Sequence, residues 1–158
     1  MKIAIGSDER THLTDFVIEE LKRRGHDPVP FGPLAENDPE KDWPLTSSKV
    51  ATAVATSEAD EGIVFCWTGT GASIAANKVP GIRAALCHDA ETAQGARTWN
   101  HANVLALSLR ATTEGIAKEI LDAWFATPYA DDAWNQQQME RIKELEERAN
   151  AHKDAPSA

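Results

Sequence analysis

The chain has 158 residues, enough for one domain to bury a core without disulfide or metal staples. It is 42% hydrophobic and 26% charged with a formal net charge of -9, the composition of a soluble globular protein. With no lysine/arginine block, nucleic acid is excluded as the expected partner, although a local site can still take an anionic small molecule.

The opening "MKIAIGSDER" carries only a short apolar run before Asp8 and does not read as a signal peptide. No apolar run approaches the ~18 residues of a membrane span, so the expectation is a cytoplasmic protein with no membrane partner. The two cysteines, Cys66 and Cys87, each close an apolar run and form no Cys-x-x-Cys pair. Neither a disulfide framework nor a zinc site is expected, and no metal ligands are assigned.

In chain order, Lys2–Ser7 predicts a first strand. Thr11 or Thr14 caps a helix with Phe16, Val17 and Leu21 on one face, and Gly25 stops it. Pro28–Phe31 predicts a weaker second strand, and the polar, proline-bearing stretch Gly32–Asp42 a loop. Trp43–Ser57 reads as a helix and Gly62–Cys66 as a third strand. The run "TGTGASIAANK" turns and opens a small-residue helix. Ile82–Cys87, Ala90–Thr98, Val104–Leu107 and Thr113–Phe125 follow as strand, helix, strand and helix. Trp134–Asn150 is a long charged helix with a sparse stripe of Met139, Ile142 and Leu145. That helix packs either on its own domain or on a neighbouring subunit. Residues 1–150 make one domain, and 151–158 are expected to be a disordered tail.

Five strands alternating with helices indicate an α/β three-layer sandwich around a parallel sheet, of flavodoxin-like (Rossmann-type) form with strand order 2-1-3-4-5 and an added C-terminal helix. In such a sheet ligands bind at the carboxyl ends of the strands, at the switch point of strand order. That point brings Ser7, Asp8 and Glu9 together with Cys66 to Gly71.

Cys66 has three readings. It is a small packed core residue, the nucleophile of a phosphate loop, or a base that takes a proton from a substrate. Gly71 is followed by Ala72 where a Walker loop needs Lys. Ala72 also stands where a Cys-x5-Arg phosphatase loop needs Arg, and Ile74 where a dinucleotide fingerprint needs its third Gly. Asp89 follows the next strand, where a ribose-binding acid would sit, so nucleotide binding stays open. A cysteine at such a turn can be held as thiolate, and the turn's N–H groups can stabilise a developing enediolate oxygen.

The segments "MKIAIGSD", "GIVFCWTGTGASIAANKVPGIRAALC", "NHANVLALSLR" and "DAWFATPY" resemble the ribose-5-phosphate isomerase type B and galactose-6-phosphate isomerase family, over nearly the whole chain to about Pro128. The resemblance implies an aldose–ketose isomerase of a sugar phosphate, working through an enediol without metal or cofactor. It also implies a homodimer or tetramer with shared active sites. It makes Cys66 the base at C2, Thr68 its neighbour and Asp8 a pocket aspartate. Trp67 and Gly69, Thr70, Gly71, Ala72 and Ser73 become the loop whose amides hold the enediolate oxygen. Asn100 and Arg110 match substrate residues, Arg110 at the phosphate.

Four departures stand out. Glu9 replaces a histidine after Asp8, and Trp43 replaces a pocket tyrosine. Trp99 stands where the family has a ring-opening histidine, so its run reads Trp99-Asn100-His101. The C-terminal phosphate pair is reduced to Arg141 at best. A chain without that histidine suits an open-chain sugar, so a tetrose phosphate is expected as a candidate beside ribose 5-phosphate, with His101 or His12 as substitute acids. The competing reading is a non-catalytic binder of sugar phosphates or nucleotides on the same scaffold.

Overall fold

The computed structural model describes residues 1–153. Strand β1 (Lys2–Ser7) is buried from Ile3 onward, as an unbroken apolar run covered on both faces must be. Helix α1 (His12–Arg23) starts at Thr11. The Thr11 hydroxyl accepts from the Thr14 amide, and the Thr14 hydroxyl accepts from the Thr11 amide at 2.9 Å. Thr11 is therefore the cap and Thr14 its reciprocal partner. Gly25 ends the helix at φ +76°, a conformation that favours glycine.

The remaining elements are β2 (Asp27–Phe31), α2 (Trp43–Ala55), β3 (Glu61–Cys66), α3 (Thr70–Ala76), β4 (Ala84–Leu86), α4 (Ala90–Asn100), β5 (Val104–Ser108), α5 (Glu114–Ala126) and α6 (Ala133–Lys153). The loop after β2 contains one 3₁₀ turn, Gly32–Leu34. Helix α6 runs to Lys153, past its expected end. From 154 on, the expected tail lies outside the described residues.

The sheet is parallel throughout, and its order is β2-β1-β3-β5-β4 rather than the expected 2-1-3-4-5. Burial explains the exchange. All five residues of β5 are buried, which requires a neighbour on each side, whereas the three residues of β4 are only half-buried and suit an edge. The switch point between β1 and β3 is unchanged.

Helices α1, α4 and α5 cover one face, where Phe65, Leu105, Leu107, Ile120 and Trp124 form the core with Cys87. Helices α2 and α3 cover the other through Val50, Ala51, Ala72 and Ala76, against Ala4, Val64 and Cys66. Burial raises the Cys87 thiol to about 12, and its Sγ lies 3.7 Å from the Ala85 carbonyl.

A buried charge pair ties the first face together. Arg97 Nη2 meets Glu61 Oε1 at 2.8 Å, and Trp124 Nε1 donates to Glu61 Oε2 at 2.6 Å. The Arg97 guanidinium lies 4.4 Å from the Tyr129 ring centroid and donates to the Tyr129 hydroxyl at 2.8 Å. Burial pushes the Glu61 carboxyl upward, opposed by the Arg97 charge and the Trp124 hydrogen bond. Among the described residues no helix is long and apolar enough to cross a membrane.

Candidate active site

Cys66 is the last residue of β3, 5% exposed, on the face covered by α2 and α3. Ser7 pairs with Phe65, so Asp8 stands beside Cys66 at the end of the adjoining strand. Side chains alternate along a strand, which sets Asp8 on the same face as Gly6 and Cys66 on the same face as Val64. Both point toward α2 and α3.

The turn after Cys66 is held by backbone bonds. Gly69 N and Leu109 N both donate to the Cys66 carbonyl, at 3.2 and 3.0 Å. The Trp67 carbonyl accepts from Arg110 N at 3.1 Å and from Ser108 Oγ at 2.9 Å. Because β5, not β4, neighbours β3, Arg110 emerges against this turn with its side chain exposed. Gly69 caps α3 at φ +76°, and a Cβ there would meet Leu86 Cδ1 at 2.6 Å and the Leu107 carbonyl carbon at 2.9 Å. Only glycine fits that cap.

Ala72 N points at Cys66 Sγ at 3.4 Å. Ser73 N is taken by the Gly69 carbonyl at 3.0 Å. Gly69 and Ser73 thus spend their amides inside the turn. The Thr70 and Gly71 amides have no protein partner among the described residues. Thr68 Oγ1 and Thr70 Oγ1 are 2.6 Å apart and both residues are exposed. Trp67 is exposed as well, on a pinned backbone. The Trp43 ring lies on Gly71, where a Cβ would come within 3.1 Å of ring atoms Cε3 and Cζ3. Trp43 therefore walls the same crevice.

Burial raises the Asp8 carboxyl above its ordinary value, partly offset by its own backbone amide and reinforced by Glu9. Its Oδ1 is buried without a partner. Glu9 is exposed, its amide donating to Ser7 Oγ at 3.2 Å. His12 is exposed at the start of α1, with no hydrogen bond to the crevice.

The remaining candidates lie elsewhere. Helix α4 runs antiparallel to the strands, so Trp99, Asn100 and His101 fall at the sheet's amino edge. Asn103, just beyond, accepts from Gly62 N at 3.0 Å, at the start of β3. From Gly62 to Cys66 a strand climbs roughly 13 Å. Trp99 is 59% exposed and faces a groove of about 990 Å³ shared with Leu86, Ile142 and Leu145. His101 stacks on Tyr129 at 4.7 Å, and its Nε2 is 2.9 Å from the Ala130 carbonyl, so it is engaged in holding the α4 terminus. Arg141 sits exposed on α6, bonded to Gln138 at 3.1 Å. These four residues do not reach the Cys66 crevice of their own chain.

Two residues that sequence reasoning passed over shape the site. Ser108 pins Trp67, and a serine closing a buried apolar strand was its signal. Asp38 accepts from Gly32 N, Glu40 N and Lys49 Nζ at 2.9, 3.1 and 2.7 Å, fastening the loop that delivers Trp43. Those bonds, Lys49 first, hold the Asp38 carboxyl down at about 2. Nothing in the local sequence marks it among the loop's other acids. Among the described residues no cluster of three His, Cys, Asp or Glu side chains forms a metal site.

Residues 3–145 match the family model described as Ribose/Galactose Isomerase. The chain is 39% identical over 150 residues to ribose-5-phosphate isomerase B of Escherichia coli, covering 94% of this chain and 99% of that protein. The solved structure of Clostridium thermocellum ribose-5-phosphate isomerase B superposes with a TM-score of 0.86 at 39% identity, covering 94% of this chain and 99% of that one. Ribose-5-phosphate isomerase B of Mycoplasma genitalium, solved with bound ribulose-5-phosphate, gives a TM-score of 0.81 at 34% identity, covering 92% and 96%. The chain therefore belongs to the ribose/galactose isomerase family.

Proposed function

We propose that the protein interconverts an aldose phosphate and a ketose phosphate through an enediol. Cys66 acts as the base at C2. The Thr70 and Gly71 amides receive the oxygen that becomes negative, and Thr68 and Asp8 orient hydroxyls. Arg110 approaches the phosphate. The reading assigns the proton transfer and the charge stabilisation to these groups and invokes no cofactor. The observation that carries the reading is the Ala72 N–H aimed at Cys66 Sγ beside two unpaired amides. Preorganised donors stabilise charge as it develops.

The substrate is a small sugar phosphate. Ribose 5-phosphate is the favoured candidate from the relatives, and a tetrose phosphate stays beside it because Trp99 replaces a titratable side chain. Incubating the protein in heavy water with three- to six-carbon sugar phosphates, read by proton NMR, tests both. Loss of the C2 proton signal identifies the substrate. Protection from melting without exchange would make the protein a binder instead.

We further propose a homodimer whose crevice is completed by a second copy. Trp99, Asn100 and Arg141 lie too far from their own Cys66 to serve it, and Trp99 opens onto an apolar groove. Light scattering checks the mass. Mixing inactive Cys66→Ala with an inactive Asn100 variant should restore part of the activity if sites are shared. A monomer, or no restoration, removes the proposal.

A further inference from the structure

We infer that Ser108 is a positioning residue for Arg110. Its hydroxyl clasps the turn that carries Arg110 onto the turn that follows Cys66, and so fixes where the guanidinium stands relative to the sulfur. The inference rests on the proposed reaction, in which Arg110 meets the phosphate.

Strands β3 and β5 run in register as far as Cys66 and Ser108, which pair as the last rung. Beyond that rung the two chains part. Trp67 leads toward α3, and Leu109 leads through a turn to Thr113, the cap of α5. Three hydrogen bonds cross the widening gap. Leu109 N donates to the Cys66 carbonyl at 3.0 Å, and Arg110 N to the Trp67 carbonyl at 3.1 Å. Ser108 Oγ donates to the same Trp67 carbonyl at 2.9 Å. A fourth bond closes the turn behind them, from Ala111 N to Ser108 Oγ at 3.2 Å.

Ser108 supplies the one side chain in this set. The two backbone bonds across the gap form whatever residue stands at 108, whereas the other two need its hydroxyl. Ser108 is 3% exposed, and it spends its proton on Trp67 and a lone pair on Ala111. Arg110 is thereby held on both sides, through its own amide and through the next one. The Trp67 carbonyl in turn has both its lone pairs filled from the Arg110 turn. Serine and threonine hydroxyls elsewhere in the fold bond within their own helix, as Ser48 does to the Leu45 carbonyl and Thr56 to the Thr52 carbonyl. Ser108 instead reaches 41 residues back along the chain. That reach matters because Arg110 and Ala111 are exposed. A guanidinium on a long exposed stem is aimed only as well as the backbone beneath it is held, and small misplacements of a substrate contact are costly.

The test is a double-mutant cycle with Arg110. Steady-state kinetics are measured on the sugar phosphate that the wild type turns over fastest, for Ser108→Ala, Arg110→Ala and the double variant. Ser108→Ala should raise KM about tenfold, with a smaller change in kcat. In the Arg110→Ala background the same substitution should cost less than about twofold, because no guanidinium is left to misplace. Ser108→Gly, a second hydroxyl-free variant, passes through the same cycle in case the alanine variant fails to fold. Amide hydrogen exchange is read beside the kinetics. The Ala111 amide, having lost its acceptor, should exchange about tenfold faster in both variants. Additive losses in KM, an unchanged KM, or an unchanged Ala111 exchange rate in the hydroxyl-free variants overturns the inference. If the wild type turns over no sugar phosphate, the proposed reaction falls. Ala111 exchange, with the affinity for inorganic phosphate across the same variants, then still decides whether Ser108 holds the Arg110 turn.

Discussion

Ala72 N and Cys66 Sγ face each other at 3.4 Å across a turn whose ends are pinned by Gly69 and Leu109 on the Cys66 carbonyl. The sulfur is oriented by backbone alone, so removing it leaves the turn's own bonds in place. Cys66→Ala should lower kcat by about 10²–10⁴-fold, the usual worth of a positioned proton-transfer group. Circular dichroism and the melting temperature should stay close to the wild type. Full activity in Cys66→Ala would remove the sulfur from the mechanism.

Trp43 rests on Gly71 with no room between them. Gly71→Ala should push the indole aside and raise KM about tenfold, ~1.4 kcal/mol of binding. Trp43→Phe, whose ring is smaller, should relieve the alanine variant. Steady-state kinetics on the two single variants and the double variant would expose an independent pair, which shows no such relief.

The Asp38 carboxyl is held at about 2 in the folded chain against an ordinary 3.8. Its folded value is depressed, so its contribution to holding the loop is present above pH 3.8 and is lost as pH falls through about 2. The amide resonances of Gly32 and Glu40 should titrate together in that window. In Asp38→Asn they should show no such step, and KM should rise because Trp43 loses its mooring.

Arg97 is the counter-charge of buried Glu61 and a donor to the Tyr129 hydroxyl. Arg97→Ala would strand a buried carboxylate, at a cost of about 3–5 kcal/mol. Urea unfolding at neutral pH should show that loss. The deficit should shrink in acid, where the raised Glu61 carboxyl takes up a proton and no longer needs its partner. A loss under ~1 kcal/mol would mark the pair as weakly coupled.

Much of this molecule could be read before any coordinates. β1, β3 and β5 announce themselves as continuous apolar runs, and the Gly-rich turn after Cys66 could only be a strand-to-helix junction at the sheet's carboxyl edge. The exchange of β4 and β5 was not legible from element order, because either position satisfies the same crossovers. What decides it is the half-burial of Ala84–Leu86 against the full burial of Val104–Ser108. Trp99–His101 were grouped with Cys66 by resemblance, although a helix returning from β4 must end at the opposite edge.

The deep thiol of Cys87 has a practical meaning of its own. With its value near 12, about one molecule in 10⁵ carries a sulfur anion there at neutral pH. Alkylation at that position has to wait until the layer of α1, α4 and α5 parts from the sheet. A slow iodoacetamide reaction at Cys87 would therefore serve as a stopwatch for the breathing of one side of the molecule.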